Sequence, residues 1–359
     1  MSVSVAVTDA NWFFSPYNWN ISGGNATAVN GGAYFKIGFT GTSISISIDV
    51  SSMVAIGMSA GNYPYLRYSR DNGAQTLTQL TSGTTAITFS GLSAGSHTLY
   101  MELDAGLWED SGTDRWTTPA NCWKITGALL DDGAATEAPV TRTGRMLWYG
   151  DSISEGIRAN NATSQPTNQN GYESVPQFIA PAFNCELGNV SFGGQGFVSG
   201  YGSIPAFNTA YSSIYNGASR LSGGVLPVDP DYVCVWHGAN GSPTATNVKT
   251  SLTNMRTIAP TASVFIIVPV GGYNSSAITT GFNDYQTATP DADCYLINLG
   301  STWTPGLSSF GSATQQAIDG LHPRSNWNAR IACAITQAMQ LALGGGSTGG
   351  VLTGGRLAR

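Results

Sequence analysis

Lysine is nearly missing from this chain: Lys36, Lys124 and Lys249 are the only three in 359 residues. Charged residues of all kinds make up 10%, and the net charge is −6. Neutralising nucleic-acid phosphates takes a stripe of basic side chains. None can be assembled here, which argues against nucleic acid and anionic membranes as partners. Long apolar runs are missing too. The best candidate, Val264 to Val270, has strand length, against the ~18 residues of a membrane span. No basic segment followed by an apolar one opens the chain, so no signal peptide is recognisable. The five cysteines (Cys122, Cys185, Cys234, Cys294 and Cys333) are odd in number and form no C-x-x-C. Buried free thiols are expected rather than a disulfide framework, with Cys333 on an apolar helix face. The three histidines, His97, His237 and His322, are scattered and form no H-E-x-x-H, so neither a metal nor a cofactor is expected. The stretch "GGGSTGG" lacks the Gly-Lys-Ser/Thr of a phosphate loop, and "GGQGFVSG" has its third glycine displaced from a dinucleotide fingerprint.

What is present is a 42% hydrophobic chain longer than one typical domain of ~100–200 residues. Its surface types are Gly, Ser, Thr and Asn, a composition common in extracellular and virion-associated proteins. Residues 1–135 read as an all-β sandwich. "SISISIDV" alternates Ile44, Ile46, Ile48 and Val50 with polar residues, and "HTLYMELD" repeats the pattern. Asp71-Asn72-Gly73 marks a hairpin turn, and helical periodicity is absent. Residues 136–145 read as a linker within the polar stretch Asp131 to Arg145. From residue 146 to 343 continuous apolar runs ("RMLWYG", "YVCVW", "VFIIVPV", "CYLINL") alternate with helical spacing. Val248, Leu252, Met255 and Ile258 mark one helix, with Ser242-Pro243 at its start. Trp327, Ile331, Ile335 and Ala338 mark the last. This is the signature of a parallel α/β sheet. The Gly-rich tail 344–359 reads as flexible.

In a parallel sheet, chemistry belongs just past the carboxyl ends of the strands. Ser152 stands there, after "MLWYG", where it either presents Oγ to a ligand or merely caps the turn together with Asp151 and Ser154. A nucleophilic serine needs a base. His97 sits on a sandwich strand and is expected to be structural. His237 ends a parallel strand and is expected near the site. His322 lies in "IDGLHP", three residues after Asp319, a spacing that lets the carboxylate reach Nδ1 and leaves Nε2 free. Oxyanion donors are available in "GNVSFGGQG", whose glycines permit close backbone approach, and in "WHGANG", where Asn240 carries an amide. Taken singly, each has a bland alternative in a loop pair, a mobile loop or a turn asparagine.

Together the pieces resemble the SGNH, or GDSL-type, serine hydrolases. Gly150-Asp151-Ser152-Ile153-Ser154 is similar to their first block, and Asn189 to Gly194 to their glycine block. Gly238-Ala239-Asn240 is similar to their Gly-x-Asn block, and Asp319-Gly320-Leu321-His322-Pro323 to their Asp-x-x-His-Pro block. The resemblance covers roughly residues 146 to 343. It implies a flavodoxin-like three-layer α/β fold with Ser152 as nucleophile, His322 as base and Asp319 as its orienter. The implied oxyanion donors are the Ser152 and Gly194 N–H groups and the Asn240 amide, with Gly193 competing for the Gly194 role. One departure is Gly241, where an aspartate usually follows the asparagine. A jelly roll ahead of such a domain is similar to the layout of the second carbohydrate-esterase family, which implies removal of acetyl groups from an acetylated polysaccharide. Two alternatives are a lipase or thioesterase for longer chains, and a glycan-binding tail-type protein with an inactive hydrolase fold. Trp108, Trp116 and Trp123 cluster before the linker; exposed, they would stack on sugars, but local packing is the expected role.

Overall fold

The computed structural model describes residues 2–106, 114–163, 165–299 and 319–344, and the backbone of 351–353. The N-terminal half is a sandwich of two six-stranded sheets, every pair antiparallel. The alternating strand Ile44–Ile48 buries all three isoleucines and half-buries both serines. It faces residues such as Phe35, Ile37, Leu99, Met101 and Leu103 across the core. Asp71 and Asn72 both take positive φ (51° and 56°) between the strands Tyr65–Arg70 and Thr76–Gln79, as a tight hairpin turn requires. Two sequence expectations need correction. A single helical turn, Ser51–Ala55, interrupts the sandwich, too short to show a period. Thr136–Glu137, read as linker, pairs with Gly38 and Phe39 at a sheet edge. Two residues carry no alternation to read.

The second half is built on a parallel sheet with strand order 2-1-3-4-5 followed by the short strand Val351–Thr353. That last strand pairs with Leu296–Asn298, inside the tail read as flexible. In the first strand, Gly144–Gly150, Met146 and Trp148 face one core and Leu147 and Tyr149 the other. Helices Val175–Ala182 and Ser325–Gly344 cover the first face, and Ala245–Ile258 and Ser275–Ala288 the second. This two-sided burial is why the strands read as continuous apolar runs. Helix Ala245–Ile258 starts later than Ser242-Pro243, because Thr244 and Asn247 form a reciprocal capping box. Four cysteines are buried free thiols, but Cys333 is exposed: its helix turns that position to solvent.

Strand Cys185–Ser191 is the sheet's edge, yet all seven residues are buried. The sandwich covers it with side chains that satisfy the open backbone groups. Tyr34 Oη accepts from the Leu187 N–H at 3.2 Å. Asn18 Nδ2 donates to the Asn189 carbonyl at 2.8 Å, and Asn30 Nδ2 to that of Ser191 at 3.2 Å. Gly188 is required here: a Cβ would stand 2.2 Å from the Pro16 carbonyl oxygen. The two halves therefore share one sealed seam.

Beside the seam Glu102 is fully buried and accepts from Tyr100 Oη and, at 2.8 Å, from Gln177 Nε2. Burial pushes its carboxyl up to about 8, from 4.5 in the unfolded chain, against the pull of Tyr100 and Arg67. Between those values the native state keeps a proton that the unfolded state has released, so stability falls as pH rises. Burial also lifts Asp151 to about 7, with the same sign. Stability is expected to drop by on the order of a few kcal/mol from about pH 5 to about pH 8, with a shallower slope for Glu102→Gln. Thermal melts across that range check this. A rising melting temperature, or an unchanged slope in the variant, would contradict it.

Candidate active site

The first parallel strand ends at Gly150, and Asp151 caps the four-residue helix Ser152–Glu155 by accepting from the Ile153 N–H at 3.0 Å. The capping role thus belongs to Asp151, and the Ser152 hydroxyl is left for other work. Ser154 is also engaged, accepting from Trp148 Nε1 at 3.1 Å. Among the described residues nothing accepts from the Ser152 N–H, a first-turn donor with no helical partner.

Ser152 Oγ lies 2.9 Å from His322 Nε2, contributed by a segment 170 residues away. His322 Nδ1 lies 2.7 Å from Asp319 Oδ2. Asp319 Oδ1 accepts from the N–H groups of Leu321 (3.0 Å) and His322 (2.8 Å), which locks the carboxylate into its own turn. Arg158 Nη1 adds a contact to Oδ2 at 2.8 Å. Burial alone would raise the Asp319 carboxyl. The hydrogen bonds from His322 and Arg158 outweigh it and hold the group well below the usual carboxylate range. A carboxylate so held stays ionised and fixes the proton of neutral imidazole on Nδ1, leaving Nε2 as the acceptor facing Ser152.

The glycine loop follows the edge strand. Gln195 N donates to Phe192 O at 3.1 Å, closing a turn around Gly193 and Gly194. Gly194 sits at φ 75° and lies against Tyr201, whose ring atoms a Cβ would meet at 2.6 Å. Both facts restrict the position to glycine. The Gly193 N–H is taken: it donates to Glu155 Oε2 at 2.7 Å. The Gly194 N–H has no acceptor among the described residues. Asn240 Nδ2 reaches Gln195 O at 3.2 Å and Asp151 Oδ2 at 3.4 Å, so the amide spans the residues flanking Ser152 and Gly194. His237 Nδ1 donates to the same Gln195 carbonyl at 3.3 Å. Burial lowers its pKa to about 3, so it is neutral, and it packs against Phe197 and Phe207.

All five sequence-proposed site residues, Ser152, Gly194, Asn240, Asp319 and His322, fall in this one neighbourhood, at the point where the strand order reverses. His97 stands on a sandwich strand, held by Asp71 and the Ser93 carbonyl. Trp116 and Trp123 are buried, which leaves neither as a sugar-stacking surface. Trp108 lies outside the described residues. Sequence reasoning missed Glu155, Arg158, Gln195 and Arg115. Glu155 closes the short helix that begins at Ser152, but nothing in the sequence marked its burial or its partners. Among the described residues no group of three or more His, Cys, Asp or Glu could hold a metal ion.

Neither a scan against protein-family models nor a search of curated protein sequences finds a match. Solved structures do. An acetyl xylan esterase from the rumen bacterium Butyrivibrio proteoclasticus aligns over 96% of this chain and 99% of its own, at 14% identity and a TM-score of 0.73. A family two carbohydrate esterase from Cellvibrio japonicus aligns over 96% and 98%, at 15% identity and 0.72. One from Clostridium thermocellum, in complex with cellohexaose, aligns over 93% and 99%, at 19% identity and 0.71. At these identities the likeness is one of fold, and it spans both halves of the chain.

Proposed function

We propose that this protein is a serine esterase that removes short acyl groups, acetyl foremost, from a carbohydrate or polysaccharide. In this proposal the second half is a flavodoxin-like three-layer SGNH hydrolase domain and the first a jelly roll. The observation that carries it is the hydrogen-bonded chain Ser152 Oγ, His322 Nε2, His322 Nδ1, Asp319 Oδ2, with spacings of 2.9 and 2.7 Å. A structural serine has no need of an imidazole oriented by an ionised carboxylate. The fold shared with carbohydrate esterases supports the substrate class.

His322 Nε2 takes the Ser152 proton as Oγ attacks the ester carbonyl. The N–H groups of Ser152 and Gly194 and the Asn240 amide stabilise the tetrahedral oxyanion; losing one such donor costs ~10²–10³ in turnover. His322 then protonates the departing sugar hydroxyl, and the C–O bond breaks to leave acyl-Ser152. Water, deprotonated by the same imidazole, attacks the acyl group, and the proton returns to Ser152 as the carboxylate leaves. Asp319 stays ionised throughout and stabilises the imidazolium.

The test is turnover of p-nitrophenyl acetate, butyrate and octanoate, followed by acetate release from acetylated xylan and other acetylated glycans. Acetate is expected to be the preferred ester. Octanoate preference would move the substrate to lipids or thioesters. Glycan binding without ester cleavage would favour a non-enzymatic role.

A further inference from the structure

The buried residue Arg115 belongs to the sandwich, in the segment that leads into its strand Trp123–Leu130. Asp114 beside it accepts from the N–H groups of Trp116, Thr117 and Thr118 at 2.7, 2.6 and 2.7 Å, which shapes the loop that delivers the arginine. Arg115 is 1% exposed, and its guanidinium reaches out of the sandwich to Glu155 in the Ser152 helix, Nη1 to Oε1 at 2.5 Å. Glu155 Oε2 in turn accepts from the Gly193 N–H at 2.7 Å. The guanidinium lies 5.2 Å from the ring centroid of Phe192, the first residue of the glycine turn, and Trp116 meets that ring edge-on at 5.7 Å. A fully buried ion pair adds little stability over apolar residues of the same size, and its best-attested use is to impose geometry.

Given the esterase function proposed above, we infer that Arg115 and Glu155 are positioning residues, through which the sandwich holds the glycine turn so that the Gly194 N–H faces the oxyanion. With the Gly193 N–H fixed on Glu155, the turn presents its next N–H to the substrate. Arg115 also cancels a carboxylate that would otherwise stand unpaired beside a developing negative charge. The sandwich is therefore part of the catalytic apparatus and not only a cover for the sheet edge.

The test uses the full chain with Arg115→Gln, Glu155→Gln and Arg115→Lys. Active sites are titrated with a phosphonate, so that turnover is expressed per functional site. Exchange of the Gly193 and Gly194 amides is followed in parallel. Arg115→Gln and Glu155→Gln are expected to lower kcat per site by about 10–10²-fold with KM within about twofold, below the full loss of a donor. Affinity for a boronic acid that forms a tetrahedral adduct should fall in proportion, and both amides should exchange faster. Arg115→Lys should recover part of the loss. If stranding one buried charge prevents folding, the double variant Arg115→Met/Glu155→Gln removes both charges and carries the same measurements. Wild-type kcat per site in a folded variant would overturn the inference, and so would a loss confined to the fraction of titratable sites. Absence of Ser152-dependent turnover in the wild type would instead count against the esterase function; the exchange data would still decide whether the pair holds the turn.

Discussion

Ser152→Ala is expected to lower ester hydrolysis by at least about 10⁴-fold, with the unfolding transition unchanged. The size follows from the position of the hydroxyl. Its polar partner is His322 Nε2 at 2.9 Å, and the cap of its helix is supplied by Asp151, so alanine removes the nucleophile without removing a structural bond. What survives is the rate that oxyanion donors and substrate binding give to attack by water. The measurement is kcat/KM for p-nitrophenyl acetate in both proteins, with circular dichroism melts as the control. A phosphonate should label wild type at one serine and leave the variant unlabelled. A folded Ser152→Ala protein with full turnover would end the assignment of Ser152 as nucleophile.

Asp319→Asn is expected to cost about 10²–10⁴ in kcat with KM nearly unchanged. Asp319 Oδ1 accepts from two backbone N–H groups, so the asparagine must keep its oxygen there. Its NH₂ then occupies the Oδ2 position, facing Arg158 Nη1 and His322 Nδ1. Donor meets donor at the imidazole. His322 responds by moving its proton to Nε2, which turns the base toward Ser152 into a donor. The loss should therefore appear in kcat and not in substrate binding, and Asp319→Ala, which imposes no wrong tautomer, should be no worse. An Asp319→Asn enzyme within about twofold of wild-type kcat would show that the carboxylate does not orient His322.

Much of the site was legible because its decisive spacings are local. Asp319 reaches His322 within one turn, and the backbone bonds that hold its carboxylate come from the two residues nearest the ring. Ser152 follows an apolar strand whose end defines the sheet's carboxyl edge. Gly194 was preferred over the adjacent Gly193 only by its place in the glycine block, since both are equally permissive; the bond from the Gly193 N–H to Glu155 supports that preference. Asn240 read in the sequence as either an amide donor or a turn asparagine, and its contacts to Asp151 and Gln195 join it to both flanks of the site.

The sequence by itself determined the strand and helix alternation and the division into a β-rich and an α/β half, and it singled out Ser152, His322 and Asp319 as candidates that the structure brings into contact. Each is set by period, by chain direction or by contacts between near neighbours. Tertiary structure alone decided that Cys333 faces solvent and that Asn18, Asn30 and Tyr34 seal the open edge at Cys185–Ser191. It alone brought Arg115 of the β-rich half to Glu155 of the α/β half, across 40 residues. Those pairings have no periodic or local signature. They exist because folding removes two surfaces from water at once, and every polar group caught between them must find a partner there.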